Sequence, residues 1–131
     1  MTSLATAEHR FRAYIEGTER EDQPENIHTD TVAREMGYAG GLVYGTSVYA
    51  WAIPLIRRVV GDDWLRSGWA DFFVRRPVYG GDELCLRIED SGTGHWTLAA
   101  LGVDGKARIE GTLGTGTGEW VAGHRRSARL V

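Results

Sequence analysis

The run Asn26-Ile27-His28-Thr29-Asp30 gathers side chains that can move a proton and orient a carbonyl within five positions. His28 is the natural proton carrier, because imidazole is the side chain that gains and loses a proton nearest neutral pH. Its alternative is a brace, with the ring donating to a backbone carbonyl of its own loop. Asp30 stands where helix-capping residues belong. Asn26 either orients a substrate carbonyl or bonds its own turn. Gly45 offers a complementary function. At the start of a helix its bare N–H can face a ligand oxygen that gains negative charge, an oxyanion-hole arrangement. It could also serve a tight approach of chain to sheet, and the two roles are compatible.

Other chemistries lack their residues. Cys85 is the sole cysteine and the four histidines are scattered, so no thiolate or histidine metal spacing occurs. His95 and His124 have no ligand-type neighbours in sequence. There is no Gly-Lys-Ser/Thr phosphate loop, no dinucleotide glycine fingerprint and no Gly-x-Ser-x-Gly elbow around Ser47. No cofactor is therefore expected. The formal net charge is −3, and the one basic cluster is Arg125, Arg126 and Arg129. Nucleic acid is not an expected partner, since neutralising phosphates needs clustered cations. The longest apolar segment, Leu42 to Ile56, is too short and too mixed to span a bilayer. Met1 to Ala7 has neither the basic start nor the apolar stretch of a secretory signal. A cytoplasmic setting follows by elimination.

These residues need a scaffold. With 131 residues, 42% hydrophobic and 25% charged, the chain has the length and composition of one domain. A chain of this size buries roughly two thirds of its unfolded surface. His9 to Glu16 alternates as a half-buried strand, with Phe11, Ala13 and Ile15 on one side. Arg20 to His28 reads as a loop around Pro24. Thr29 or Asp30 caps a short helix through Met36, which Gly37 ends. Thr46 to Val60 is the main helix. Val48, Trp51, Ala52, Leu55, Ile56 and Val59 form its stripe, and Tyr49, Ala50 and Ile53 widen it, so it should lie centrally. Pro54 should bend it.

From Trp69 the period changes to two. Strands are expected over Trp69–Arg75, Glu83–Glu89, His95–Val103 and Lys106–Leu113, linked as a run of hairpins. The Pro77–Asp82 segment, Ser91-Gly92-Thr93-Gly94 and Asp104-Gly105 supply the turns. Residues 1–116 then form the domain and 117–131 a loosely ordered tail. The fold class is α+β, an antiparallel sheet wrapped around a long central helix. Open strand edges make dimerisation the expected remedy.

Two blocks of this sequence resemble the MaoC-like hydratases and dehydratases of the hot-dog superfamily. One is His28-Thr29-Asp30, then Ala33, Gly37-Tyr38 and Gly41-Leu42-Val43-Tyr44-Gly45. The other is Arg76-Pro77-Val78-Tyr79-Gly80-Gly81-Asp82-Glu83-Leu84, similar to that family's proline-valine-glycine-aspartate turn. Together they span Asn26 to Leu84 in the family's order. The resemblance implies a hot-dog fold and a cofactor-free hydro-lyase, in which a histidine and a carboxylate activate water for addition to an enoyl thioester. The carboxylate's place, five residues before His28, holds Gln23, and an amide cannot take a proton from water. Asp22 and Glu25 are the nearby acids that could supply it if the loop is remodelled around Pro24. Tyr44, where relatives often carry His, lines the pocket or packs in the core. Tyr49, Trp51, Trp69, Phe72 and Phe73 either shape an acyl tunnel or fill the core.

The expected substrate is a small acyl thioester, carried by coenzyme A or a carrier protein, or a related carbonyl compound. The expected assembly is a homodimer, with a heterodimer as the alternative. Two other functions fit the same residues. One is cyclisation or isomerisation of a natural-product intermediate, and the other is a non-catalytic ligand-binding or partner subunit.

Overall fold

The computed structural model describes residues 6–15, 27–92 and 94–116. Its elements are β1 (Thr6–Arg12), α1 (Asp30–Glu35), α2 (Gly45–Val60), α3 (Trp64–Ser67), β2 (Gly68–Val74), β3 (Glu83–Asp90), β4 (His95–Leu101) and β5 (Ala107–Thr115). The five strands among the described residues join one antiparallel sheet in the order β1-β3-β4-β5-β2. The helix α2 packs on one face of that sheet against β1, β3 and β5. This is an α+β hot-dog architecture.

The packing follows from the two periodicities. Along α2 the buried residues are Val48, Ala52, Leu55 and Ile56, which recur at helical spacing on one face. Along β3, Leu84, Leu86 and Ile88 alternate inward, and Leu98, Ala100, Ile109 and Leu113 meet them from β4 and β5. Each fully buried aliphatic side chain contributes about 1.5–3 kcal/mol relative to exposure. The opposite face of the sheet carries the ion pairs Arg12–Glu83, Arg87–Glu8 and Arg75–Glu110. They are exposed and add little stability.

α2 runs unbroken through Pro54. Pro54 and Ala50, the residue whose carbonyl loses its partner, are both exposed, so water can satisfy that carbonyl. The first strand begins and ends earlier than its alternation suggests, at Thr6–Arg12. Ala13 still belongs to the core, exchanging hydrogen bonds with the Asp82 carbonyl and the Gly81 amide, both at 2.8 Å.

The expected run of hairpins is corrected at one place. β3–β4 and β4–β5 are hairpins, the second closed by Gly105 at φ 77°. β2 and β3, however, do not pair. β2 lies at the far edge against β5, and residues 75–82 cross between the two sides of the sheet. Burial of Val78 and the Val43 N–H bond to its carbonyl (2.7 Å) anchor this crossing to the chain ahead of α2. The four-residue α3 has no counterpart in the sequence reading. It lies on the sheet-edge side, against β2 and β5. Among the described residues no helix is long and apolar enough to cross a membrane. The stretch 117–131 lies outside the described residues.

Candidate active site

His28 is placed by backbone contacts from the segment before α2. The Leu42 N–H donates to the Ile27 carbonyl at 3.0 Å. At Gly41 the chains run so close that a Cβ would lie 2.5 Å from the His28 carbonyl oxygen, so only glycine fits. The Gly41 N–H donates to Asp30 Oδ1 at 2.8 Å. Asp30 is the first residue of α1, with Thr29 at the cap position, and its carboxylate ties the helix start to Gly41. Leu42 also bridges to Tyr79, so the two blocks picked out in sequence meet in space.

The ring of His28 is fixed by a hydrogen bond of 2.6 Å between Nδ1 and the Leu42 carbonyl oxygen. A carbonyl only accepts, so Nδ1 carries the proton and donates. In the neutral ring the lone pair then sits on Nε2, the nitrogen able to act as a base. Tyr44 stacks on the imidazole, with ring centroids 3.5 Å apart and planes inclined by 26°.

Tyr44 leads directly into α2. Its carbonyl accepts from the Ser47 and Val48 amides at 3.0 and 3.3 Å. Gly45 and Thr46 are the first residues of the helix, whose opening amides have no carbonyl one turn back. The helix dipole adds a favourable field for negative charge there. A Cβ at Gly45 would come 3.2 Å from Val74 Cγ2, which marks how closely β2 approaches the helix start.

His28, Tyr44, Gly45, Thr46 and Tyr49 line one cavity of about 800 Å³ between α2 and β2. Tyr49 sits edge-on to Phe72 across it, at 5.3 Å and 63°. Burial pushes the Tyr49 phenol up from its ordinary value, so its hydroxyl stays protonated at neutral pH. The arrangement offers a basic ring nitrogen, helix-terminal amides and a mainly apolar groove. It can move a proton beside a carbonyl held at the helix start.

Of the residues singled out in sequence, the structure brings His28, Tyr44, Gly45 and Tyr49 together, with Trp69 and Phe72 on the same cavity. Trp51 is placed elsewhere, against Phe11 at 5.2 Å and Tyr14 at 4.9 Å. Phe73 points to the other face of the sheet, under the Arg75 guanidinium at 4.9 Å. Asp22, Glu25 and Asn26, and Gln23 with them, lie outside the described residues. Sequence reasoning missed Thr46, Ile53, Trp64, Leu65 and Val74. Spacing could have found two of them. Ile53 follows Gly45 and Tyr49 at successive helical turns, and Val74 shares the inward parity of Ala70 and Phe72. Among the described residues no three His, Cys, Asp or Glu side chains gather into a metal site.

No family sequence model matches the chain, and no curated protein matches its sequence. Solved structures do match it in fold. The (R)-hydratase from A. caviae involved in PHA biosynthesis superposes with a TM-score of 0.59 at 14% identity, covering 88% of this chain and 97% of that one. The MaoC-like dehydratase from Rhodospirillum rubrum gives 0.59 at 14% identity, over 90% of this chain and 95% of that one. The HadBC complex of Mycobacterium tuberculosis, a 3R-hydroxyacyl-ACP dehydratase, gives 0.54 at 20% identity over 86% and 98%. The strand order, the central helix and these superpositions agree: the chain has the hot-dog fold.

Proposed function

We propose that this protein is a MaoC-like hydratase or dehydratase that adds water to, or removes it from, a small acyl thioester or a related carbonyl compound. The observation that carries this reading is the convergence of the His28 ring and the Gly45 helix start on one cavity, with Nδ1 tied to Leu42 so that Nε2 is the basic atom. In hydration, Nε2 takes a proton from water, and the hydroxide adds to the β-carbon. The thioester oxygen gains negative charge and accepts a hydrogen bond from the Gly45 N–H. The proton then passes to the α-carbon, and the enolate collapses to the carbonyl. Dehydration is the reverse.

Asp22 or Glu25 supplies the second acid/base group, Asn26 orients the carbonyl, and Tyr44 and Tyr49 bound the substrate. The thioester is carried by coenzyme A or a carrier protein. The working unit is a homodimer, and its setting is the cytoplasm, where a protein with one cysteine needs no disulfide framework. The neighbours' printed descriptions as hydratases and dehydratases support the reaction class.

The test is turnover of a panel of enoyl and β-hydroxyacyl thioesters by wild type and His28→Ala. Wild type converts at least one member, and the variant loses about 100-fold or more, the scale of positioned acid/base catalysis. Equal rates for the two proteins contradict the mechanism.

A second reading is a partner subunit that works only in a heterodimer. It is favoured by Gln23 in the carboxylate's place and by one neighbour's being the HadBC dehydratase complex. Size measurement of the purified chain separates the two: a stable homodimer supports the first reading, an unstable lone protomer the second.

A further inference from the structure

The cavity has a direction. One end holds the chemistry, at His28 and Gly45, where Val74 of β2 approaches the helix start. One turn along α2 stands Tyr49, facing Phe72 two residues earlier on β2. The next step along both walls is Ile53 on the helix and Ala70 on the strand, and both line the cavity. Helix and strand thus bound a groove that runs from the proton-moving end towards the C-terminal half of α2. From Gly45 to Ile53 it extends about 12 Å at the rise of an α-helix.

Beyond Ile53 and Ala70 stands the indole of Trp64. This side chain is buried, at 6% exposure, yet contributes to the cavity wall. Its position is fixed twice. Nε1 donates to the Trp69 carbonyl at 3.2 Å. The ring also lies so close to Gly68 that a Cβ there would fall 2.3 Å from Trp64 Cδ1. The short helix α3 that carries Trp64 starts just after Gly61, whose φ of 106° turns the chain out of α2.

We infer that Trp64 is the specificity-determining end wall of this groove and sets the longest acyl group the protein accepts. A straight chain advances roughly 1.2 Å per bond, so a groove of about 12 Å admits acyl groups of up to roughly ten carbons. Longer chains meet an indole held by its bond to Trp69 and its contact with Gly68. The inference rests on the thioester reading of the same site, and equilibrium binding separates the two.

The experiment is calorimetric titration of the full chain with a graded series of saturated, straight-chain acyl-coenzyme A thioesters, shorter and longer than that limit. Saturated chains cannot be hydrated, so the length profile is read whether or not the protein catalyses hydration. Wild-type affinity should rise with length up to the limit and then fall by about 10-fold, the discrimination expected when added methylenes do not fit. Trp64→Phe should move the break to longer chains. Ala70→Leu, placed before the wall, should move it to shorter ones and keeps the test decisive if the first variant does not fold. His28→Ala should abolish turnover and leave the length profile in place. Affinity that keeps rising past the limit in wild type, a break that neither groove variant moves, or no binding of any chain overturns the assignment.

Discussion

The imidazole of His28 and the phenol ring of Tyr44 stack with centroids 3.5 Å apart, while Nδ1 at the edge of the same imidazole is anchored to the Leu42 carbonyl. The ring is thereby held in plane and in tautomer by a neighbour just ahead of α2. Tyr44→Phe should keep the stack and retain kcat within about 3-fold, whereas Tyr44→Ala should free the ring and cost about 10- to 100-fold, the scale of a misplaced catalytic group. Steady-state kinetics on one converted thioester reads both. A Phe variant as damaged as the Ala variant would make the hydroxyl, and not the stack, the working part.

Gly41 controls the same ring from the backbone. A methyl there would meet the His28 carbonyl oxygen at 2.5 Å, and backbone cannot give way as a side chain can. Gly41→Ala should lower stability by about 1–3 kcal/mol, as overpacking does. It should also lower kcat further than stability explains, because His28 shifts with its carbonyl. Urea unfolding beside kinetics at a temperature where the variant is folded separates the two effects.

Gly45→Ala should behave differently. Its added methyl meets only Val74 Cγ2 at 3.2 Å, and Val74 is an exposed side chain that can move. Stability should change by less than about 1 kcal/mol, since alanine is the better helix former. The methyl, however, lies beside the opening amides of α2 in the groove. A fall of about 10-fold in kcat/KM is expected, the effect of one misplaced methyl in a fitted pocket. An unchanged kcat/KM would remove Gly45 from the site.

Trp51 tests the boundary between core and groove. It packs on Phe11 and Tyr14 and does not line the cavity. Trp51→Ala should therefore lower stability by about 2 kcal/mol and leave KM unchanged. A raised KM at unchanged stability would place it in the substrate's path.

Much of this organisation is legible in sequence because two periodicities dominate it. Val48, Ala52, Leu55 and Ile56 fix α2 at the centre, and Leu84, Leu86 and Ile88 fix the inward face of β3. The two motif blocks, 28–45 and 76–84, meet backbone to backbone, bridged through Leu42 and Tyr79. Pairing order is less legible. Pro77-Val78-Tyr79-Gly80-Gly81-Asp82 has the composition of a turn, and the Asp82 carboxylate does accept the Tyr79 amide at 2.9 Å, but the turn returns the chain to β1 and not to β2. Nothing local encodes which strand lies beyond. Trp64 was invisible for a related reason. A single turn of helix has no period to detect, and its role depends on β2 lying at the far edge. Phe72 and Phe73 look alike in sequence, yet strand parity sends one to the groove and the other to the outer face.

The central claim concerns one atom, Nε2 of His28, and nitrogen-15 NMR of histidine-labelled protein observes it directly. With the His28 signals assigned through the His28→Ala variant, the neutral ring should show a protonated Nδ1 and an unprotonated Nε2. Addition of a saturated acyl thioester should shift Nε2 while Nδ1 keeps its bond to Leu42. A ring protonated on Nε2 in its neutral form, or ring signals indifferent to every thioester added, would contradict the account.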